Sequence, residues 1–411
     1  MSTTYVIGAG LAGLSAATML AGKGRRVVVI EAAPQAGGRC RSYYDSQLGH
    51  VIDNGNHLVL SGNHATMAYL ARIGAKSALM GPEKAGITCV DIRDGFRWTI
   101  RPNEGPLPYW VFSEERRVPG TRVGDYLELA KLLLPQGGRK IGEVLACKGA
   151  LWERLFDPFF TAALNTKPET ASAALAGALV RETFARGGAA YRIRVAQPTL
   201  ASAFVEPALE YLRRRNADVR FGQRLRAFAM DSSAVSALRF ADGELPVASD
   251  DRVVLAVPPW VAKELLPGIE APDDFRAIVN AHFKFPAPAD APPILGVIGG
   301  VAQWIFAFAD RISVTISDAD ALVNEDREAL AHVIWHDVAK ALSLSADLPS
   351  WQIVKEKRAT FAATPEQAKR RPPTRTKASN LFLAGDWTDT GLPATIEGAV
   401  RSGHAAARAI L

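Results

Sequence analysis

Tyr5-Val6-Ile7-Gly8-Ala9-Gly10-Leu11-Ala12-Gly13 begins the stretch that decides the fold, and Arg26-Val27-Val28-Val29-Ile30-Glu31 completes it. A short apolar run leads into glycines spaced G-x-G-x-x-G. An uncharged helical stretch follows, then a β-branched run that ends in an acid. This order predicts strand, tight turn, helix and second strand, the unit that holds a dinucleotide. Gly8 permits the turn, Gly10 lets backbone approach a pyrophosphate, and Gly13 lets helix and strand pack closely. From Leu11 and Ala12 onward, the helix N-terminus aims free N–H groups and its positive end at phosphate. Glu31 stands eighteen residues after Gly13, where an acid accepts hydrogen bonds from the adenosine ribose.

The bulk numbers fit a globular enzyme. At 411 residues the chain has room for two to three domains, and 48% hydrophobic with 22% charged residues allows a large core. Cys40, Cys89 and Cys147 are scattered, odd in number and form no C-x-x-C. That pattern argues for a reducing compartment and against a disulfide framework or a metal site. Residues 1–22 carry no charge, but no basic region precedes the apolar stretch, and the glycine motif explains the composition better than a signal peptide does. The uncharged span Ala291–Ala309 approaches the length of a membrane crossing. Its Pro292-Pro293 start, its Gly299-Gly300 break and its β-branched and aromatic residues predict a β-hairpin instead. The net charge is +6, with basic clusters at Arg116-Arg117, Arg213–Arg215 and Lys369–Arg371. No nucleic-acid motif accompanies them. A solvated face explains each cluster alone, and anionic lipid headgroups become relevant if the substrate is a lipid.

Helical stretches are expected at Tyr126–Leu134, Ser172–Phe184, Phe204–Arg215 and Arg327–Leu342. Strands are expected at Asp218–Phe221, at Arg224–Phe228, across Asp251–Trp260, around His282–Phe285 and at Leu381–Leu383, with a turn at Asp242-Gly243. A β-like piece carries Trp98 and Trp110.

Further motifs refine the cofactor. Gly37-Gly38-Arg39 follows Glu31 closely, and Leu383-Ala384-Gly385-Asp386 ends a strand before Thr395-Ile396 opens a last helix. Both ends resemble the two-dinucleotide-binding-domain flavoproteins, the superfamily of flavin amine oxidases and phytoene desaturases. The resemblance implies FAD, with Gly37, Gly38 and Arg39 at the pyrophosphate, Gly385 and Asp386 at the ribityl and pyrophosphate region, and Thr395 and Ile396 at the flavin edge. Backbone near Val219 and Leu225 would touch adenine. No cysteine follows Cys147, so cysteinyl attachment near the closing helix is excluded and dissociable FAD is expected. The implied fold is α/β: a Rossmann-like FAD-binding domain from residues 1–80, 191–260 and 356–411, interleaved with a mixed α+β substrate-binding domain from 81–190 and 261–355.

Val51-Ile52-Asp53-Asn54-Gly55-Asn56-His57 and Ala162-Ala163-Leu164-Asn165-Thr166 are more specific. With Gly385-Asp386-Trp387-Thr388, they resemble the bacterial hydroxysqualene dehydroxylases, squalene-associated flavoproteins of hopanoid synthesis. Asn56 departs from that family's usual glutamine. The resemblance implies that reduced FAD and hydroxysqualene give squalene, water and oxidised FAD. Such an enzyme needs an apolar tunnel, an acid for the departing oxygen and exclusion of water. Trp98, Tyr109, Trp110, Phe112, Phe159, Phe160, Trp304 and Phe306 are candidates for the tunnel, with ordinary core as the plainer reading. His57, Asp53 and His282 are candidate acid groups, Asp157 a further one. Asn54 and Asn165 are candidates to orient the hydroxyl or the flavin edge, or simply to cap turns, and Gly55 lies beside the flavin.

A carotenoid-type desaturase is the first rival and would run the redox chemistry in reverse. An amine oxidase is the second. Its lysine beside the flavin aligns with Asn280, with Lys284 further along the same strand. A flavin-binding subunit without turnover is the third. Expected partners are a long isoprenoid and an electron donor that the sequence leaves unidentified; nucleic acid is not expected. The expected location is cytoplasmic, peripherally on the inner face of the cell membrane.

Overall fold

A computed structural model describes residues 2–411. The opening stretch folds as strand Thr3–Ile7, helix Leu11–Gly22 and strand Arg26–Ile30. These strands lie inside a five-stranded, all-parallel sheet. Its order is Asp218–Arg220, Arg26–Ile30, Thr3–Ile7, Arg252–Leu255, Leu381–Leu383. The near-continuous Val and Ile runs suit strands covered on both faces. One cover is the pair of helices Leu11–Gly22 and Ile396–Ile410. They approach closely because Gly403 meets the Ala12 carbonyl where a Cβ would sit 2.2 Å away. Ser15 Oγ also donates to the Val400 carbonyl at 2.9 Å.

A seven-stranded mixed sheet forms the second layer system. Its order is Trp351–Phe361, Phe275–Phe283, Ile312–Ile316, Trp304–Ala307, Ile294–Ile298, Ile87–Asp91, Phe96–Ile100. Helix Arg327–Leu342, capped by the Asp326 carboxylate, buries Ile334, Trp335 and Val338 against it. Strand Trp351–Phe361 runs unbroken through position 356, so the expected division between 355 and 356 falls within one strand of this sheet.

Most expected elements are present, and four differ. Tyr126–Leu134 lies in a 3-10 run, Val123–Leu133, which Pro135 follows. The strand expected at Arg224–Phe228 starts later, at Ala227–Asp231, because its antiparallel partner Ala234–Phe240 sets the register. Strand Arg252–Leu255 stops before Pro258, and Pro259 instead begins the helix Pro259–Leu265, where a missing N–H costs nothing. Trp110 sits in a 3-10 turn, Tyr109–Phe112, not in a strand. The span Ala291–Ala309 is the expected hairpin: Ile294–Ile298 pairs antiparallel with Trp304–Ala307. Among the described residues no helix is long and apolar enough to cross a membrane.

Candidate active site

The glycine turn has the geometry its spacing predicts. Gly8 has φ +106° and donates its N–H to the Ile30 carbonyl at 2.8 Å. A Cβ on Gly13 would sit 1.9 Å from the Gly8 carbonyl oxygen. Gly10 differs: a Cβ there would meet nothing within 4 Å. No packing constraint excludes a side chain at Gly10, so open space is reserved beside the N-terminus of helix Leu11–Gly22, as a pyrophosphate needs. Gly37 and Gly38, with φ +112° and +57°, lie across from this turn, and the Gly37 N–H bonds the Ala9 carbonyl at 2.8 Å. The Glu31 carboxylate accepts from the Ala9 and Ala33 N–H groups at 2.7 and 2.8 Å, which ties the acid to the turn. Val219 lies on the strand beside Arg26–Ile30, and Leu225 is buried in the loop that follows. A dinucleotide fits this cradle.

Arg39 reaches from the second glycine stretch to the Asp386 carboxylate at 2.7 Å and the Ala359 carbonyl at 2.5 Å. It thus joins the first segment, the strand Trp351–Phe361 and the Gly385-Asp386 turn. Gly385 N–H is held by Ser402 Oγ at 2.8 Å, and Thr395 caps the last helix by accepting from the Gly398 N–H at 3.0 Å. Ile396 is buried beneath that cap. A small cavity here is lined by Arg39, Trp260, Phe275, Arg358, Asp386 and Trp387, among others.

Asp53 to His57 lie where the mixed sheet meets this cradle. Gly55 is pressed on Asn280, whose Nδ2 a Cβ on Gly55 would approach to 2.9 Å. Asn280 Oδ1 accepts from the Asn56 N–H at 3.3 Å and from Thr315 Oγ1 at 2.8 Å. Asn54 Nδ2 donates to Glu356 at 3.3 Å. A second small cavity has Asp53, Asn56 and His57 on its polar side and Val195, Ala196, Leu200 and Phe308 on its apolar side.

Burial tunes the titratable groups here. It raises the Asp53 carboxyl above the ordinary range, opposed by hydrogen bonds from Ser42 Oγ and the Leu200 N–H. Both bonds end on Oδ1. Burial, with the Arg39 charge, lowers His57 to about 4. Burial, with Arg311, lowers His282 to about 3. Both rings are therefore neutral near pH 7, and neither holds an imidazolium proton to donate.

Of the remaining candidates, His282 lies against the Asp53 backbone, whereas Asn165 and Asp157 lie elsewhere. His282 is buried in the mixed sheet and bonds Ser313 Oγ at 2.8 Å. Asn165 ends helix Asp157–Leu164 in the left-handed region, φ +47°. It donates to Thr360 Oγ1 at 2.9 Å and the Arg276 carbonyl at 3.3 Å, and accepts from the Asp318 N–H at 2.7 Å. Its amide is a clamp between segments. Asp157 accepts from Thr161 within its own helix. Tyr109 and Phe112, expected as tunnel candidates, stand exposed on the surface. Phe159 and Phe160 instead belong to an aromatic row with Phe184, whose ring meets Tyr191 at a tilt of 57°.

Two groups were not anticipated. Buried Glu397 takes the Ala65 and Thr66 N–H groups at 3.0 and 2.8 Å and pairs with Arg401. Buried Arg371 holds the Asp386–Thr390 loop through the Asp386 and Thr388 carbonyls and Thr390 Oγ1. Glu397 acts across more than 300 residues, which no local pattern signals, and Arg371, whose cluster reads as a solvated face, is instead buried.

The fold and the cradle define a dinucleotide-binding oxidoreductase, and comparison with known proteins specifies it. The family model of flavin containing amine oxidoreductases matches residues 11–411. A hydroxysqualene dehydroxylase of Rhodopseudomonas palustris is 52% identical, over 100% of this chain and 98% of that protein. A 15-cis-phytoene desaturase of an Oncidium hybrid cultivar is 24% identical, over 99% of this chain and 77% of that protein. Among solved structures, cyclohexylamine oxidase from Brevibacterium oxydans superposes with a TM-score of 0.72 at 17% identity, covering 100% and 98% of the two chains. The chain belongs to the flavin containing amine oxidoreductases and, within them, to the hydroxysqualene dehydroxylase family. It is an FAD-dependent oxidoreductase.

Proposed function

We propose that this chain reductively dehydroxylates hydroxysqualene to squalene. The observation that carries the reading is likeness at about half of all positions, end to end, to proteins of that name. The cavity at Asp53, Asn56 and His57 agrees with it, because its lining joins these polar side chains to apolar ones. Lys284 supports the reading against an amine oxidase. It lies by Gly49 and Tyr44, while Asn280 occupies the position against Gly55.

Segments of the parallel sheet hold FAD through Gly8, Gly10, Leu11, Ala12, Gly13, Glu31, Gly37, Gly38 and Arg39. Val219, Leu225, Gly385, Asp386, Thr395, Ile396 and Gly55 complete its surroundings. The mixed sheet covers the substrate. When bound and reduced, FAD supplies the hydride equivalent that replaces the hydroxyl. The protein's part is to give the departing oxygen a proton, so that it leaves as water. Asp53 is the best placed donor. Burial favours its protonated form, and Ser42 and Leu200 fix Oδ1 while Oδ2 remains to carry the proton. His57, neutral beside it, orients the hydroxyl. Asn54, Asn165 and His282 position the frame. Val195, Leu200 and Phe308 exclude water. The bilayer that stores so apolar a substrate is the expected surface of action.

The test is to reduce the FAD-loaded protein anaerobically, remove the reductant and add hydroxysqualene. Flavin reoxidation with squalene formed is expected; no reoxidation overturns the reading. Asp53→Asn should retain FAD and slow the single turnover about a hundredfold or more. An unchanged rate removes Asp53 as the donor.

A further inference from the structure

Six of the fifteen large apolar side chains that stand exposed among the described residues fall within residues 107–134. They are Leu107, Tyr109, Phe112, Leu127, Leu133 and Leu134. Leu107 is 76% exposed, and Phe112 and Leu127 are each 71% exposed. A soluble surface rarely gathers so many without a partner. The two segments that bear them, around Tyr109–Phe112 and Val123–Leu133, join no sheet. They pack on one another through Trp110 and Tyr126, whose rings meet edge-on at 5.3 Å, and through Tyr126 Oη, which accepts from the Val118 N–H at 2.9 Å. The segments that carry these exposed side chains are therefore neighbours.

Charge selects the occupant. In this region Arg117 pairs with Glu114 and Lys131 with Glu128. The side chains of Arg101, Arg116, Arg122, Arg139 and Lys140 form no ion pair among the described residues, and they outnumber the nearby carboxylates without one, Glu115, Asp125 and Glu143. Apolar side chains beside an excess of cations suit an anionic lipid surface: the first enter the acyl boundary and the second meet the headgroups. The inner sides of the same segments are continuous with the core. Trp110, Val111, Leu129 and Leu132 share a buried cluster with Trp152, Phe156 and Phe160.

We propose that the face carrying Leu107, Tyr109, Phe112, Leu127, Leu133 and Leu134 docks on an anionic bilayer, with Arg122 and Arg139 at the headgroups. The inference deepens the lipid-substrate reading and rests on it in part, but binding is measured without turnover. FAD-loaded protein is sedimented with phosphatidylcholine vesicles, with and without phosphatidylglycerol. Wild type is expected in the pellet with the anionic vesicles. Leu107→Asp with Leu127→Asp should weaken that binding about tenfold or more. Arg122→Gln and Arg139→Gln should each weaken it roughly fivefold, with no effect on neutral vesicles. All variants should keep FAD content, melting temperature and turnover of detergent-dispersed hydroxysqualene. Wild type remaining in the supernatant, or a leucine variant that binds as well as wild type, overturns the proposal. So does a concentration-dependent dimer that the leucine variant breaks while vesicles go unbound; the face would then be an interface between copies. If vesicle binding holds but hydroxysqualene is not turned over, the substrate reading fails and the docking face stands.

Discussion

The two sheets build their halves of the site in different ways. The parallel sheet uses backbone: glycines at residues 8–13 and 37–38, one helix N-terminus and a single arginine. The mixed sheet uses side chains from strands far apart in sequence: Asn280 with Thr315 and Asn56, His282 with Ser313. A backbone cradle leaves a local signature because turn geometry is local. A side-chain cluster leaves none, because its members meet only after the sheet has its register.

The largest expected effect tests whether the cradle is one device or two. Gly13→Ala forces a Cβ to within 1.9 Å of the Gly8 carbonyl, so it should abolish FAD retention and lower the melting temperature of the apoprotein. Gly10→Ala meets no protein atom within 4 Å. It should leave the apoprotein's melt unchanged while weakening FAD by about tenfold, the equivalent of one hydrogen bond. Paired apoprotein melts and flavin titrations separate the two. Equal melts would erase the distinction between packing glycine and ligand glycine.

On the mixed-sheet side, Asn165→Ala removes three hydrogen bonds and places alanine at φ +47°. It should cost about 2–4 kcal/mol in denaturant unfolding while the protein still binds FAD. Full stability with lost turnover would move Asn165 from clamp to catalysis.

The last test is of pH, and it touches both regions. An unfolded histidine titrates near 6.5, whereas folded His57 and His404, the latter buried on helix Ile396–Ile410 against Arg72, take a proton only at about 4 and His282 at about 3. Between these values the unfolded chain binds more protons. The stabilisation is therefore complete above pH 6.5 and drains away as pH falls toward 4. Melting temperature should decline over that window, and His404→Gln should flatten the decline. An unaltered slope would mean that His404 is not buried as described.

Legibility in the sequence followed the same divide. Residues 3–31, the hairpin at 294–307 and the helix Arg327–Leu342 are all readable, because periodicity, glycine spacing and capping act within one element. The strand at Ala227–Asp231 was misplaced because a partner strand sets its ends. Tyr109 and Phe112 were read toward the interior, since aromatic content alone does not tell an inward face from an outward one. Asn165 carried two open readings, and the three partners that define it come from three other segments. Glu397 gave no signal, because its partners lie about 330 residues away, and Arg371 read as part of a solvated basic cluster because the loop it holds has no periodicity.

The helix Ile396–Ile410 lies against Leu11–Gly22, with Gly403 on the Ala12 carbonyl and Ser15 bonded to Val400. Arg39 likewise waits for Asp386. On the ribosome, the glycine turn emerges long before the strand, aspartate and helix that cover it. A nascent chain halted before Leu381 exposes the whole glycine turn yet lacks the edge strand, the aspartate and the covering helix. Flavin capture is thus deferred until the segment from Leu381 to Ile410 has been made, and a flavin-bright product reports that this segment is present and folded.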